Sequence, residues 1–272
     1  MPLFRGSASQ IHYQQTGTGP DIVWVGGGGT QGKDWQRCQT PDFDDRYQST
    51  VFDNRGIGLT TCDAPMPWPI EAFSEDLAEL VRGVCAGPVR LIGTSLGSAI
   101  VQQLAIDHPD LVTCAVVMGT GAWSTGWGWD YQIAEIEFRQ KGGRLDGLMG
   151  ATHYASMLYP ARALGDRVLW LKLRALLLEW MESGENEESL VPQWDASLRF
   201  DQRARLPSVR VPMHVIAFEE DVQAPPQDGE ELAALVPEAE LHLLKGMGHG
   251  SWYGHAHTEL NGYLGRILAR YP

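Results

Sequence analysis

The first half of the chain alternates short apolar runs with stretches of helical spacing. Residues 11–15 and 22–25 read as strands, and residues 50–53, 89–92 and 115–118 follow. The later runs are apolar without interruption, the pattern of strands covered on both faces. Between them, residues 70–85 and 96–106 set apolar side chains three and four apart, as on one helix face. Strand, helix, strand in this repetition predicts a parallel sheet with crossover helices. The pattern changes between residues 122 and 205, where no strand is predicted and residues 131–139, 145–158, 167–181 and 191–200 read as helices. Strand character returns at residues 213–218 and 241–244, and residues 260–270 read as a closing helix. The expected fold class is α/β: a mostly parallel central sheet with flanking helices, built from residues 1–121 and 206–272, with a helical insertion at residues 122–205. No internal repeat or low-complexity segment interrupts it.

Composition narrows the partners. The 272 residues are 43% hydrophobic, enough for one large domain with a full core. Against 21 basic residues stand 34 acidic ones, a net charge of −13 that repels phosphate backbones and anionic lipid. No nucleic-acid and no membrane partner is expected, whereas a small, partly apolar substrate is untouched by this argument. Residues 1–15 hold no apolar stretch of signal-peptide type, and no apolar run reaches the roughly 18 residues of a membrane span. Cys38, Cys62, Cys85 and Cys114 form no C-x-x-C pair, and their spacing suits neither a zinc site nor a small disulfide scaffold. Free thiols in a reducing cytoplasm are the expectation. No metal cluster or cofactor site is expected, and nothing in the pattern specifies an oligomeric state.

One constellation carries chemistry. Gly93-Thr94-Ser95-Leu96-Gly97 matches G-x-S-x-G, with a strand running into it and a helical pattern leaving it. That context is what a nucleophile elbow needs. Small neighbours give the tight turn room and push the serine hydroxyl into the open, and a helix N-terminus aims amide donors at developing negative charge. A serine hydroxyl needs a base to take its proton. Of eight histidines, His249 lies between glycines just after the strand at residues 241–244, free to reach across the sheet edge. His255 and His257 read as surface residues, His108 as a helix end, and His214 and His242 as structural strand residues. The acid that orients the imidazole should follow a strand lying between serine and histidine in the chain. Residues 213–218 run into Glu219-Glu220-Asp221, and Asp221 is the choice because the two glutamates are still leaving the strand.

In these residues and their order the chain resembles an α/β-hydrolase, and the resemblance covers nearly all of it. Asp53-Asn54-Arg55-Gly56-Ile57-Gly58 is similar to the D-x-R-G-x-G turn of many members, and Asp221 with Pro225 and the glycine-flanked His249 are similar to their acid and histidine turns. The helical block occupies the family's usual cap position. The resemblance implies an ester, lactone or thioester hydrolase of the serine type, working without a cofactor. It also implies an oxyanion hole made by the backbone N–H groups of Leu96 and Gly28. Where members commonly carry His-Gly, this chain has Gly26-Gly27. The same triad supports acyl transfer, elimination or C–C cleavage elsewhere, because fold does not fix reaction.

Six of the ten tryptophans fall in the helical block, where they either fill its core or line an apolar pocket. Trp123, Trp127 and Trp129, directly after a strand, are the candidates for the pocket, and His153 is a further residue placed to touch substrate. A competing motif is Gly27-Gly28-Gly29-Thr30-Gln31-Gly32, which satisfies G-x-G-x-x-G with Asp53 at the distance of a ribose-binding acid. A nicotinamide-dependent oxidoreductase would need a helix from the third glycine. Residues 33–47, with Pro41 and poor periodicity, do not predict one.

Overall fold

Alternate residues of each central strand enter opposite cores, which is why those strands read as unbroken apolar runs. In β3 (Asp21–Val25), Ile22 and Trp24 face one side while Val23 and Val25 face the other. The computed structural model describes residues 2–182 and 187–272. Its sheet also contains β1 (Leu3–Arg5), β2 (Ser9–Gly17), β4 (Gln48–Phe52), β5 (Thr61–Cys62), β6 (Val89–Thr94), β7 (Val112–Met118), β8 (Met213–Phe218) and β9 (Glu240–Leu244). The order is β1-β2-β4-β3-β6-β7-β8-β9, with β5 beside β2. Pairing is parallel from β4 through β9 and antiparallel at β1, β2 and β5.

Helices α2 (Ile70–Val84), α3 (Leu96–Asp107) and α9 (Pro226–Leu235) cover one face. Leu77, Leu80, Ile100, Leu104 and Leu232 pack there on Val23, Leu91, Val117 and Val215. Helices α1 (Gly32–Cys38) and α10 (His257–Leu268) cover the other, where Trp35, Leu260 and Leu264 meet Trp24, Val116 and Phe218. Between β7 and β8 lie α4 (Gly126–Gln140), α5 (Gly147–Leu158), α6 (Ala161–Gly165), α7 (Arg167–Glu182) and α8 (Glu187–Arg199). Helices α5, α6 and α7 share a small core of their own around Ala151, Tyr154, Leu173 and Leu177. Helix α8 instead packs on α3, and Ala196 and the following Phe200 join the first core. Residues 183–186 of the expected insertion, and Met1, lie outside the described residues. Among the described residues no helix is long and apolar enough to cross a membrane.

One expectation fails. Residues 33–47 predict no helix, yet α1 begins at Gly32, the third pattern glycine of the G-x-G-x-x-G match after Gly27 and Gly29. Its seven residues are too few to show a period. Polar caps hold it instead: the Gln31 N–H donates to Asp34 Oδ2 at 2.9 Å, and the Gly32 N–H donates to Asp53 Oδ1 at 2.9 Å. Strands β1 and β5 and helix α9 are likewise absent from the pattern. The strands are two and three residues long, and α9 buries only Gly229 and Leu232.

Candidate active site

Strand β6 ends at Thr94 and α3 begins at Leu96, so Ser95 alone makes the turn, with φ 51° and ψ −121°. A side chain at positive φ is strained by roughly 1–3 kcal/mol and persists only where its surroundings dictate it. They do. The Ser95 N–H donates to the Met118 carbonyl at 2.9 Å. A Cβ on Gly97 would lie 2.1 Å from the Val25 carbonyl oxygen, so only glycine lets the helix come this close to β3. Ser98 follows in the first turn of α3. In the structure its buried hydroxyl donates to the Met118 carbonyl and accepts from the Met118 N–H, at 3.0 and 2.9 Å.

The structure brings Asp221 and His249 together. Asp221 follows β8, and its carboxylate is wholly buried. Oδ1 accepts the Gln223 and Ala224 N–H groups at 2.8 and 2.9 Å, and Oδ2 lies 2.8 Å from His249 Nδ1. A carboxylate held this way accepts a hydrogen bond from Nδ1–H, which leaves Nε2 with a lone pair. The loop carrying His249 is fixed on three sides. The Glu220 N–H reaches the Met247 carbonyl, the Gly248 N–H reaches Ser251 Oγ, and the Gly250 N–H reaches the Leu158 carbonyl on α5. Glu219 and Glu220 point elsewhere, toward the Gly246 N–H and Arg162.

The D-N-R-G turn is a clamp. Asp53 accepts from the Gly32 and Leu59 N–H groups and lies 2.9 Å from His12 Nδ1. Asn54 donates to the Gly26 carbonyl at 2.8 Å. Arg55 forms a buried ion pair with Asp76 at 2.9 Å. Gln193 of α8 completes it, accepting the Gly29 N–H at 3.0 Å and donating to the Arg55 carbonyl at 3.1 Å. The glycine loop is thereby held over the elbow, with Gly27 against Ser95 and Gly28 against the Trp194 ring. Leu96, as the first residue of α3, has no acceptor one turn back for its N–H.

Ser95, Leu96, Gly27, Gly28 and His249 all line one cavity of about 240 Å³. Trp123 and Trp129 line it, whereas two other expectations are corrected. Trp127 is 55% exposed and stacks on Tyr131 with centroids 5.2 Å apart, because its position on α4 faces outward. His153 lies behind Tyr131, with Nε2 3.0 Å from its hydroxyl, and does not line the cavity. Trp180, Trp194, Trp252 and Tyr253 also line it. Trp252 stands three residues after His249, on the same loop. Trp194 meets Gly28 at a separation of 166 positions, which no local pattern reveals.

Three acids reach this cavity. Glu135 is neutralised locally: Arg139, Tyr131 and Tyr154 all donate to it. Burial pushes Asp34 up to about 6. Asp228 is pushed up to about 6 by burial first, then by Glu231 and Asp221.

A family model described as "Alpha/beta hydrolase family" matches residues 22–261. A Mycobacterium tuberculosis (strain ATCC 25618 / H37Rv) protein named "Putative non-heme bromoperoxidase BpoC" is 30% identical over 243 residues, 88% of this chain and 90% of its own length. The crystal structure under that name shares 26% identity and a TM-score of 0.89, covering 97% of each chain. A Stutzerimonas stutzeri (strain A1501) protein named "Putative carbamate hydrolase RutD" is 27% identical over 249 residues, 89% of each. The enol-lactonase from Burkholderia xenovorans LB400 shares the fold at a TM-score of 0.81 and 20% identity, covering 98% of this chain and 100% of its own.

Proposed function

The chain belongs to the alpha/beta hydrolase family, and from that membership we propose that it is a serine hydrolase cleaving a carboxylic ester, lactone or thioester. The buried Asp221–His249 hydrogen bond at 2.8 Å, on a cavity that Ser95 also lines, carries this reading. Ser95 Oγ attacks the substrate carbonyl carbon while His249 Nε2 takes its proton. The Gly28 and Leu96 N–H groups hold the tetrahedral oxyanion, and Asp221 stabilises the imidazolium. His249 then gives that proton to the departing oxygen or sulfur. Water repeats the sequence on the acyl-serine and restores the enzyme. Helices α4 to α8 act as a cap that supplies the cavity wall, with residues 1–121 and 206–272 as the catalytic core.

The aromatic wall and the acids Asp34 and Asp228 favour a small, partly apolar substrate that is uncharged or cationic. The nicotinamide alternative loses its ribose acid, since Asp53 is engaged by Gly32, Leu59 and His12. Four free cysteines fit a reducing cytoplasm. The test is a panel of p-nitrophenyl esters, lactones and acyl-thioesters, neutral, cationic and anionic, with Ser95→Ala as the blank. Ser95→Ala is expected to lower turnover by roughly 10⁴- to 10⁶-fold with the fold intact, and anionic members should be poorest. A fluorophosphonate should label Ser95. Retention of most activity by Ser95→Ala would overturn the proposal, and product analysis separates hydrolysis from acyl transfer or elimination by the same acyl-enzyme.

A further inference from the structure

At the far end of β8 from Asp221, the sheet edge gathers a second set of chemically capable side chains. Parallel pairing sets His214 beside Glu240 and Ile216 beside His242, so the three polar residues share one face of β8 and β9. His214 Nδ1 lies 3.1 Å from His242 Nε2 and 3.8 Å from Glu240 Oε2, and all three ligand atoms fall within 4.8 Å of one another. We propose that His214, His242 and Glu240 form a zinc-binding site separate from the catalytic cavity.

Three features carry this. The first is spacing. Tetrahedral zinc with bonds of about 2.0–2.1 Å sets its donors about 3.4 Å apart, and 3.1 and 3.8 Å bracket that value. The ion replaces the proton shared between the two rings. The second is orientation. The Tyr271 hydroxyl lies 2.8 Å from His214 Nε2, so that nitrogen bonds outward and Nδ1 is left to face the ion, as a ligating histidine requires. The third is access. His214 is buried, whereas His242 and Glu240 are half-buried on the edge strand, giving the ion a way in and water a fourth position. Two nitrogens and a carboxylate oxygen are a borderline donor set that zinc prefers over magnesium or calcium.

Arg270 opposes the ion. Its Nη1 and Nη2 hold Glu240 Oε2 and Oε1 at 2.7 and 2.5 Å. Each carboxylate oxygen keeps a further lone pair, so Glu240 can serve both, at a cost in affinity. Binding is therefore expected in the micromolar range, tighter when Arg270 is neutralised.

The experiment is calorimetric titration of the chelator-treated full chain with ZnCl₂, with MgCl₂ as the control. One equivalent of zinc should bind and raise the thermal midpoint. His242→Gln and Glu240→Gln should each weaken binding at least tenfold, and Arg270→Gln should tighten it. Both weakened positions are half-buried on an edge strand, and circular dichroism checks that the variants fold. Co²⁺ should give four-coordinate visible absorption in the wild type and lose it in His242→Gln. Activity on the ester panel should be unchanged by these variants, so failure here leaves the proposed catalytic reading standing. No saturable zinc binding by the wild type, or undiminished binding by both weakened variants, overturns the site.

Discussion

Gly119 shows how little room the buried acid–histidine pair leaves around it. Its φ is +55°, and a Cβ there would stand 3.2 Å from both Asp221 Oδ2 and His249 Nδ1. Gly119→Ala is therefore expected to lower kcat/KM by about 10- to 100-fold while costing only about 1–2 kcal/mol of stability. Kinetics on the best ester alongside thermal denaturation would check this, and an unchanged kcat/KM would contradict it. The same scale explains what was legible. Ser95, Asp221 and His249 each announce themselves through near neighbours: the paired glycines, the turn after an apolar strand, the flexible flanks. Gly119 and Ser98 do not, because what constrains them is a residue brought close only by folding. Trp127 and His153 lie off the cavity for the same reason. A helix face can be read from spacing, but not the direction in which the assembled molecule turns it.

Helix α8 shows the limit for whole elements. Its helical spacing was readable over residues 191–200, yet its role depends on Gln193, fully buried and bonded to both Gly29 and Arg55. Gln193→Ala removes two buried hydrogen bonds and leaves the Gly29 N–H without its acceptor, an expected loss of about 1–3 kcal/mol. The loosened glycine loop should lower kcat by roughly tenfold, with KM changed less, since the proposed oxyanion contact would matter most in the transition state. An equal rise in KM with kcat intact would instead mark α8 as a substrate-binding wall only. Helix α1 is the converse case. Its side chains gave no period, and capping by Asp34 and Asp53 makes the helix. Strands β3, β6, β7 and β8 were the easiest elements, because burial on both faces writes itself as an uninterrupted apolar run.

For the molecule as a whole, the order of sheet and insertion was readable from the change of pattern near residues 122 and 205, but the electrostatics of the interior was not. Asp34 sits at about 6 in the folded chain against an ordinary 3.8, because burial disfavours its charge. The folded state thus holds more protons than the unfolded between those values, so this site's contribution to stability falls as pH rises through that window and stays low above it. Asp34→Asn keeps an oxygen for the Gln31 N–H and removes the buried charge. It should raise stability at pH 8 by up to about 3 kcal/mol and change it little at pH 4. Denaturation curves at the two pH values decide the matter, and equal shifts at both would refute the assignment. The seams of the insertion carry a further consequence. Among the described residues the Gly29–Gln193, Gly250–Leu158, Gly246–Arg162 and Tyr253–Tyr159 hydrogen bonds join it to the glycine and histidine loops, whereas every group assigned to the chemistry rises from a strand end. A transplanted helical block from a relative would therefore need to supply an amide oxygen, one free carbonyl, a guanidinium and a hydroxyl at those four points. Selectivity could then be exchanged wholesale while the reaction centre stays as it is.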